Sequence, residues 1–251
     1  KAQIGQLKMS KTLRRCLSLF AVIALLLLQA CASIKSDDAR DPWEPMNRSI
    51  YNFNDAVDTV AIRPAAQIYV NVVPSLVRTG LHNVVSNLGD VWSMANSVMQ
   101  LKGQHAAETF MRVAVNTVFG LGGVLDIATE MRLERHKEDF GQTLGYWGVK
   151  PGPYVVLPIL GPSTLRDSLS VPVDFQGDPR RQLNDQATRT GLAVVRVLDV
   201  RANLLKTVDT VKEASLDPYS FVRDAYLQKR ENDVHDGNPP STFDYSDTDA
   251  Q

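Results

Sequence analysis

The 251-residue chain predicts a mostly α fold, a bundle of amphipathic helices broken by one irregular segment rich in glycine and proline. Three observations carry this. Apolar residues recur at spacings of three and four along several stretches between positions 41 and 230, the mark of helices with one apolar face. Asp139 to Asp167, DFGQTLGYWGVKPGPYVVLPILGPSTLRD, abandons that period. Only Tyr154 to Leu157 has the look of a strand, and Pro158 limits it.

The front of the chain reads as an export signal. Met9 is the expected true start, and Lys11, Arg14 and Arg15 form a positive region. An apolar run from Leu17 to Leu28, broken only by Ser18, follows. Such a sequence describes an exported precursor. As a helix the run spans roughly 18 Å, short of the roughly 30 Å of a bilayer's hydrocarbon core. Leu28-Gln29-Ala30-Cys31 resembles a lipobox, which implies a signal peptide over residues 1–30 and acyl chains on Cys31. Two or more acyl chains suffice for stable anchoring. Ala32 follows, not the aspartate that resembles an inner-membrane retention signal, so the outer membrane is the expected address. Residues 31–40 then form a short lipidated tether.

The folded part, 41–230, opens at Asp41-Pro42, an expected helix cap. Met46, Ile50, Phe53, Val57 and Val60 mark one helix face, and Arg63-Pro64 is expected to break it. Ala65 to Arg78 is a second helix, kinked or divided at Pro74. Leu81 to Leu101 is the cleanest amphipathic segment. Its apolar stripe runs from Leu81 through Val85, Leu88, Trp92 and Ala95 to Met99. The opposite face, including His82, Asn83, Ser86, Asn87, Asp90, Ser93, Asn96 and Ser97, is polar but nearly uncharged. Water-facing helices usually carry Lys and Glu there, so this face points to a wet surface that is not bulk water, such as a channel wall or another helix. Glu108 to Phe119 is a more buried helix ended by the glycines of 120–123. Leu125 to Leu133 is a further short helix, Asp185 to Ser215 a long one, and Asp217-Pro218 caps a last one through Arg230. Residues 231–251 are polar, with little to bury, and are expected to be a disordered tail.

Composition excludes several functions. Cys16 leaves with the signal and Cys31 is lipidated, so the mature chain has no thiol for a disulfide, metal or nucleophile. The whole chain carries 27 basic and 28 acidic residues. Five basic and no acidic residues lie in 1–30, which leaves the mature part at about −6 and argues against nucleic acid and anionic lipid surfaces as electrostatic partners. His82, His105, His136 and His235 show no metal-ligand spacing, and no P-loop or nucleophile elbow is present. Asp126, Asp139 and Asp167 are the only carboxylates singled out for a dyad, and caps and ion pairs explain them better. No catalytic residue, metal or cofactor is expected.

Several blocks, taken together in order and spacing, resemble one family. They are DPWEPMNRSIYNFN (41–54), the Arg63-Pro64 pair, GLHNVVSNL (80–88), RVAVNTVFGLGGVLDIA (112–128), the 139–167 block and DPYSFVRDAYLQKR (217–230). The MlaA/VacJ family of Gram-negative outer-membrane lipoproteins is what they resemble. The resemblance implies a helical ring in the inner leaflet of the outer membrane, with an amphipathic channel through it. It further implies removal of phospholipids that have strayed into the outer leaflet, handed to a soluble periplasmic carrier, with a trimeric porin as outer-membrane partner. No catalysis and no cofactor are implied. A headgroup path needs polar lining, for which Asn52, Asn54, Asn83, Asn87 and Asn96 are the candidates. Gly141, Gly145, Gly148 and Gly152, set among prolines, are the candidate hinges of a gate. On the residues alone, a scaffolding envelope lipoprotein and a lipid-active hydrolase stay open as alternatives.

Overall fold

A computed structural model describes residues 38–239. Cys31, the signal segment, most of the tether and the end of the tail lie outside the described residues. The fold is helical, as expected, and also contains one small hairpin.

Helix α1 (Glu44–Val57) begins two residues later than Asp41-Pro42 predicts, with Trp43 at the cap position and Pro45 in its first turn. Asp41 is fully buried instead, and accepts hydrogen bonds from Asn47 Nδ2 at 2.8 Å and Tyr219 OH at 2.5 Å. Arg63-Pro64 does not break the path. One π turn (Asp58–Ile62), in which Arg63 N–H reaches back to Asp58 O, leads directly into α2 (Arg63–Val72). The wider turn absorbs the proline, which has no N–H to give and needs space at the preceding turn. Pro74 does divide the helices, and α3 (Ser75–Met99) follows it.

Helix α4 (Gly103–Val118) pairs with α3 along its length, and α5 (Ile127–Glu130) is a single turn capped by Asp126. The irregular segment contains α6 (Phe140–Tyr146), N-capped by Asp139, then strands β1 (Tyr154–Leu157) and β2 (Gly161–Thr164) paired antiparallel with Tyr154 opposite Thr164. The second strand escaped prediction because Pro162 sits within it, tolerated in a two-stranded ribbon where one edge is free. Helix α7 (Leu165–Gly177), N-capped by Thr164, was also unpredicted. Helix α8 (Gln186–Ala214) starts where the helical period begins, with Asp185 as its N-cap, and α9 (Pro218–Val234) starts at the predicted cap, Asp217. Helix α9 runs beyond Arg230 into the segment read as tail. Buried Val234 packs on the α6 glycine Gly145, and Asp236 receives Lys102 Nζ at 2.6 Å, so contacts the local sequence does not show hold this stretch in place.

The apolar core is small and centred on the hairpin: Tyr154, Val156 and Tyr219, with Ile50, Tyr51, Tyr226 and Leu227 against them. Tyr51 and Tyr154 both meet the Tyr219 ring edge-on, at 5.6 and 6.3 Å between centroids.

Away from that core the molecule is inverted. Among the described residues 23 polar or charged side chains are buried against nine apolar ones, so apolar burial alone does not organise the interior. On α3 the Asn/Ser face is inside: Asn96 and Ser97 are fully buried, while Leu76 on the same helix is 86% exposed. Phe110, Met111, Val118, Phe119, Leu121, Trp147, Ile159 and Leu169 are also exposed. Large apolar side chains exposed in this number point to a contact with membrane or protein where they adjoin one another. No helix of the described residues is long and apolar enough to cross a membrane.

Candidate functional site

The inverted interior holds a half-open cavity of about 490 Å³, in which charged and polar groups share the lining with Val85, Trp92, Leu157, Leu160 and Phe175. Helix α3 supplies one wall. His82, Ser86, Asp90 and Ser93 follow at helical spacing and line it together, because α3 turns its polar face inward. The extended 132–139 segment supplies Arg135, Lys137, Glu138 and Asp139, and α7 supplies Asp174. Asp178 and Arg180 come from the turn after α7, and Arg196 and Asp199 from α8.

Most of these charges are held. Arg135 gives Asp90 two hydrogen bonds, at 3.0 and 2.7 Å, and a third to Ser86 O. Arg180 forks onto Asp178, at 2.6 to 2.9 Å. His82 Nδ1 lies 2.6 Å from Asp199 Oδ2. Glu138 accepts from Gln100 at 2.8 Å and Lys102 at 3.2 Å, yet burial outweighs both and pushes its carboxyl above the usual range. Asp174 accepts from Trp92 Nε1 and Phe140 N, both at 2.8 Å, and burial pushes it up as well.

The carboxylates singled out in the sequence do not form an acid–base dyad. Arg230 lies between Asp139 and Asp167, at 2.6 and 2.9 Å, and Arg166 supplies Asp167 with a second cation at 2.9 Å. Burial pushes the Asp167 carboxyl up, but Arg230 and Arg166 outweigh it and hold it below the usual range. Asp126 pairs with Arg112 and Asn116 elsewhere, at 3.0 Å each.

The five candidate asparagines are not brought together, and none lines the main cavity. Asn52 is exposed. Asn54 clamps the hairpin, giving its amide to Leu157 O at 2.9 Å and accepting from Ile159 N at 2.7 Å. Asn83 and Asn87 border a small side cavity; Asn83 donates to Val124 O and Asn87 to Thr117 Oγ1. Asn96 joins α3 to α6 by accepting from Thr143 Oγ1 at 2.8 Å. Most of the asparagines therefore tie elements together. Their own α3 neighbours line the cavity instead, since rotating one residue along a helix turns a side chain by about 100°.

The four glycines also divide. A Cβ on Gly141 would lie 2.5 Å from Arg230 Nη2 and Asp167 Oδ1, and one on Gly145 2.6 Å from Arg166 Nη1. Both sit inside α6, where the missing Cβ permits close packing. Gly148 and Gly152 have φ of +89° and +69° in open space, the turn-forming role glycine serves best.

The arginines and lysine of the cavity were missed. For Arg135 and Lys137 the signal was the charged run from Arg132 to Asp139 beside an irregular segment, which says that charge is present but not that it faces inward; Arg180 and Arg196 had no such signal. The sequence also hid a stacked pair, His105 over His136 with ring centroids 3.8 Å apart. Glu108 and Glu134 stand around His136, and Glu138 and Asp236 around His105, close enough for metal ligation. Lys102 already sits on Glu138 and Asp236, at 3.2 and 2.6 Å, supplying the positive charge there.

Residues 39–233 match the family model of the MlaA lipoprotein. The chain belongs to the MlaA lipoprotein family. Relatives include the intermembrane phospholipid transport system lipoprotein MlaA of Escherichia coli K12, 36% identical over 82% of this chain and 83% of that one. The protein of the same description from Haemophilus influenzae is 32% identical over 87% of this chain and 90% of its own. A solved structure, from work on the structural basis for maintenance of bacterial outer membrane lipid asymmetry, aligns with a TM-score of 0.65 at 34% identity. That alignment covers 77% of this chain and 98% of the other. The MlaA family therefore shares the fold as well as the motifs, and the helical architecture read from the sequence stands with it.

Proposed function

We propose that this chain is an outer-membrane lipoprotein that takes misplaced phospholipid from the outer leaflet through its half-open cavity and passes it to a soluble periplasmic carrier. A trimeric porin is its proposed neighbour in the membrane. The observation that carries the reading is the inversion of α3, with Asn96 and Ser97 buried while Leu76 stands exposed. A protein immersed in acyl chains gains nothing by hiding leucines from them, whereas a charged headgroup crossing hydrocarbon costs several kcal/mol or more. An apolar outside around a polar inside answers both conditions. Relatives named for intermembrane phospholipid transport support the same reading.

On this reading His82, Ser86, Asp90 and Ser93 line the headgroup path, and the chain's carboxylates serve structure rather than hydrolysis. Cys31 is the proposed anchor, with the body lying in the inner leaflet and facing the periplasm. Mass spectrometry of the mature N-terminus tests the anchor, and a first residue other than acylated Cys31 sinks it.

The function itself is tested in cells lacking the gene. Outer-leaflet phospholipid should accumulate and fall again on complementation; unchanged outer-leaflet lipid overturns the proposal. A second test starts the chain at Ala32 behind a cleavable signal. The protein should still need detergent, and quantitative recovery as a soluble monomer would favour a scaffold.

A further inference from the structure

The cavity's charges are unevenly matched. Each lining carboxylate is engaged: Asp90 by Arg135, Glu138 by Lys102, Asp139 by Arg230, Asp174 by Trp92, Asp178 by Arg180 and Asp199 by His82. Two lining cations are not. The Lys137 side chain makes no hydrogen bond or ion pair among the described residues. Arg196 has only a 3.7 Å approach to Asp178, whose oxygens Arg180 already occupies.

We propose that Lys137 and Arg196 form a phosphate subsite in the cavity, and that this subsite favours glycerophospholipids of net negative headgroup charge over zwitterionic ones. The proposal rests on the phospholipid reading above. A single phosphate neutralises one of the two free cations and leaves the other without a partner. A zwitterionic headgroup brings an ammonium as well, and four of the six lining carboxylates it would meet, Asp90, Glu138, Asp139 and Asp178, are already paired with cations. Desolvation, with Arg135, Lys229 and Arg196 outweighing Asp90, holds the Lys137 ammonium below the usual lysine range, and a bound anion relieves that repulsion. The Arg196 side chain is 53% exposed, with Arg180 as a like-charged neighbour. Lys137 lies on the wall shared with a second polar cavity of about 580 Å³, so a ligand held there stands between two compartments of the molecule.

The experiment uses the full chain in neutral detergent, with phosphatidylglycerol and phosphatidylethanolamine of identical acyl chains competing for it, read by native mass spectrometry. Wild type should prefer phosphatidylglycerol by roughly twofold to fivefold, the size expected of one water-accessible charge pair. Lys137→Gln and Arg196→Gln should each reduce the preference, and the double variant should remove it, with the loss of bound lipid falling mainly on phosphatidylglycerol. Equal binding of both lipids by wild type, or a preference that survives the double variant, overturns the subsite. Inorganic phosphate is the second probe and separates the two readings. If no lipid binds but phosphate does, and the glutamine variants lose it, the subsite stands as a free-phosphate site and the transport reading fails. Binding of neither overturns both. Circular dichroism of each variant should match wild type, since neither side chain carries a strong structural contact.

Discussion

Arg230 and Asp139 meet through two parallel hydrogen bonds, Nη1 to Oδ2 at 2.7 Å and Nη2 to Oδ1 at 2.6 Å. The same guanidinium binds Asp167 at 2.9 and 3.0 Å, so one side chain from the last helix joins the caps of α6 and the first turn of α7. Arg230→Met should therefore leave two carboxylates short of a partner, one of them buried. The expected loss is about 3–5 kcal/mol, seen as a lower unfolding midpoint in detergent. Lys229→Met, one residue earlier with an exposed side chain, should change stability by less than about 1 kcal/mol.

Acid should undo part of the same cluster. The Asp167 carboxyl is held below its unfolded value. Its contribution is complete above the unfolded pKa of about 3.9 and is lost as pH falls through the lower folded value. Glu138, raised by burial, works in the opposite sense: its charged form is disfavoured in the fold, and stability from it falls as pH rises through its folded value. Unfolding midpoints measured downward from pH 5 should drop for wild type, and Asp167→Asn should flatten that limb. An equally steep limb in the variant would place the acid sensitivity elsewhere.

Asn47 is fully buried and satisfied on both ends of its amide. It donates to Asp41 Oδ1 at 2.8 Å and Tyr154 O at 3.0 Å and accepts from Val156 N at 2.9 Å, so it pins α1 to β1. Asn47→Ala should cost about 3 kcal/mol, because backbone groups in a closed site lose their partner and gain no water. Asn52→Ala, on the exposed side of the same helix, should be near neutral in the same thermal assay.

The glycines of α6 test packing against hinging. Gly141→Ala should lower stability by about 1–3 kcal/mol through the clash with Arg230 and Asp167. Lipid removal per folded molecule should be unchanged. Full stability with slowed lipid removal would restore the hinge assignment.

Much of the fold was legible in the sequence because helical period, caps and proline act locally. Pro74 divides α2 from α3, α8 begins after Asp185, Asp217 caps α9, and Tyr154 to Leu157 forms a strand, all at the expected places. What failed did so through distant contacts. The π turn carries the chain past Pro64, β2 forms on β1 despite Pro162, and Val234 and Asp236 hold a segment whose composition says tail.

The sequence by itself determined that α3 has two unlike faces, one apolar and one neutral and polar. It could not determine which face looks inward, since a period of 3.6 residues records a difference between faces and not the medium each one meets. Only the tertiary structure placed Asn96 and Ser97 inside and Leu76 outside. It alone aimed Arg135, Lys137, Arg180 and Arg196 at one cavity, drawing them from three segments that are far apart along the chain. Charge is written residue by residue, but its balance within an enclosed space depends on which partners the fold brings within about 4 Å of one another.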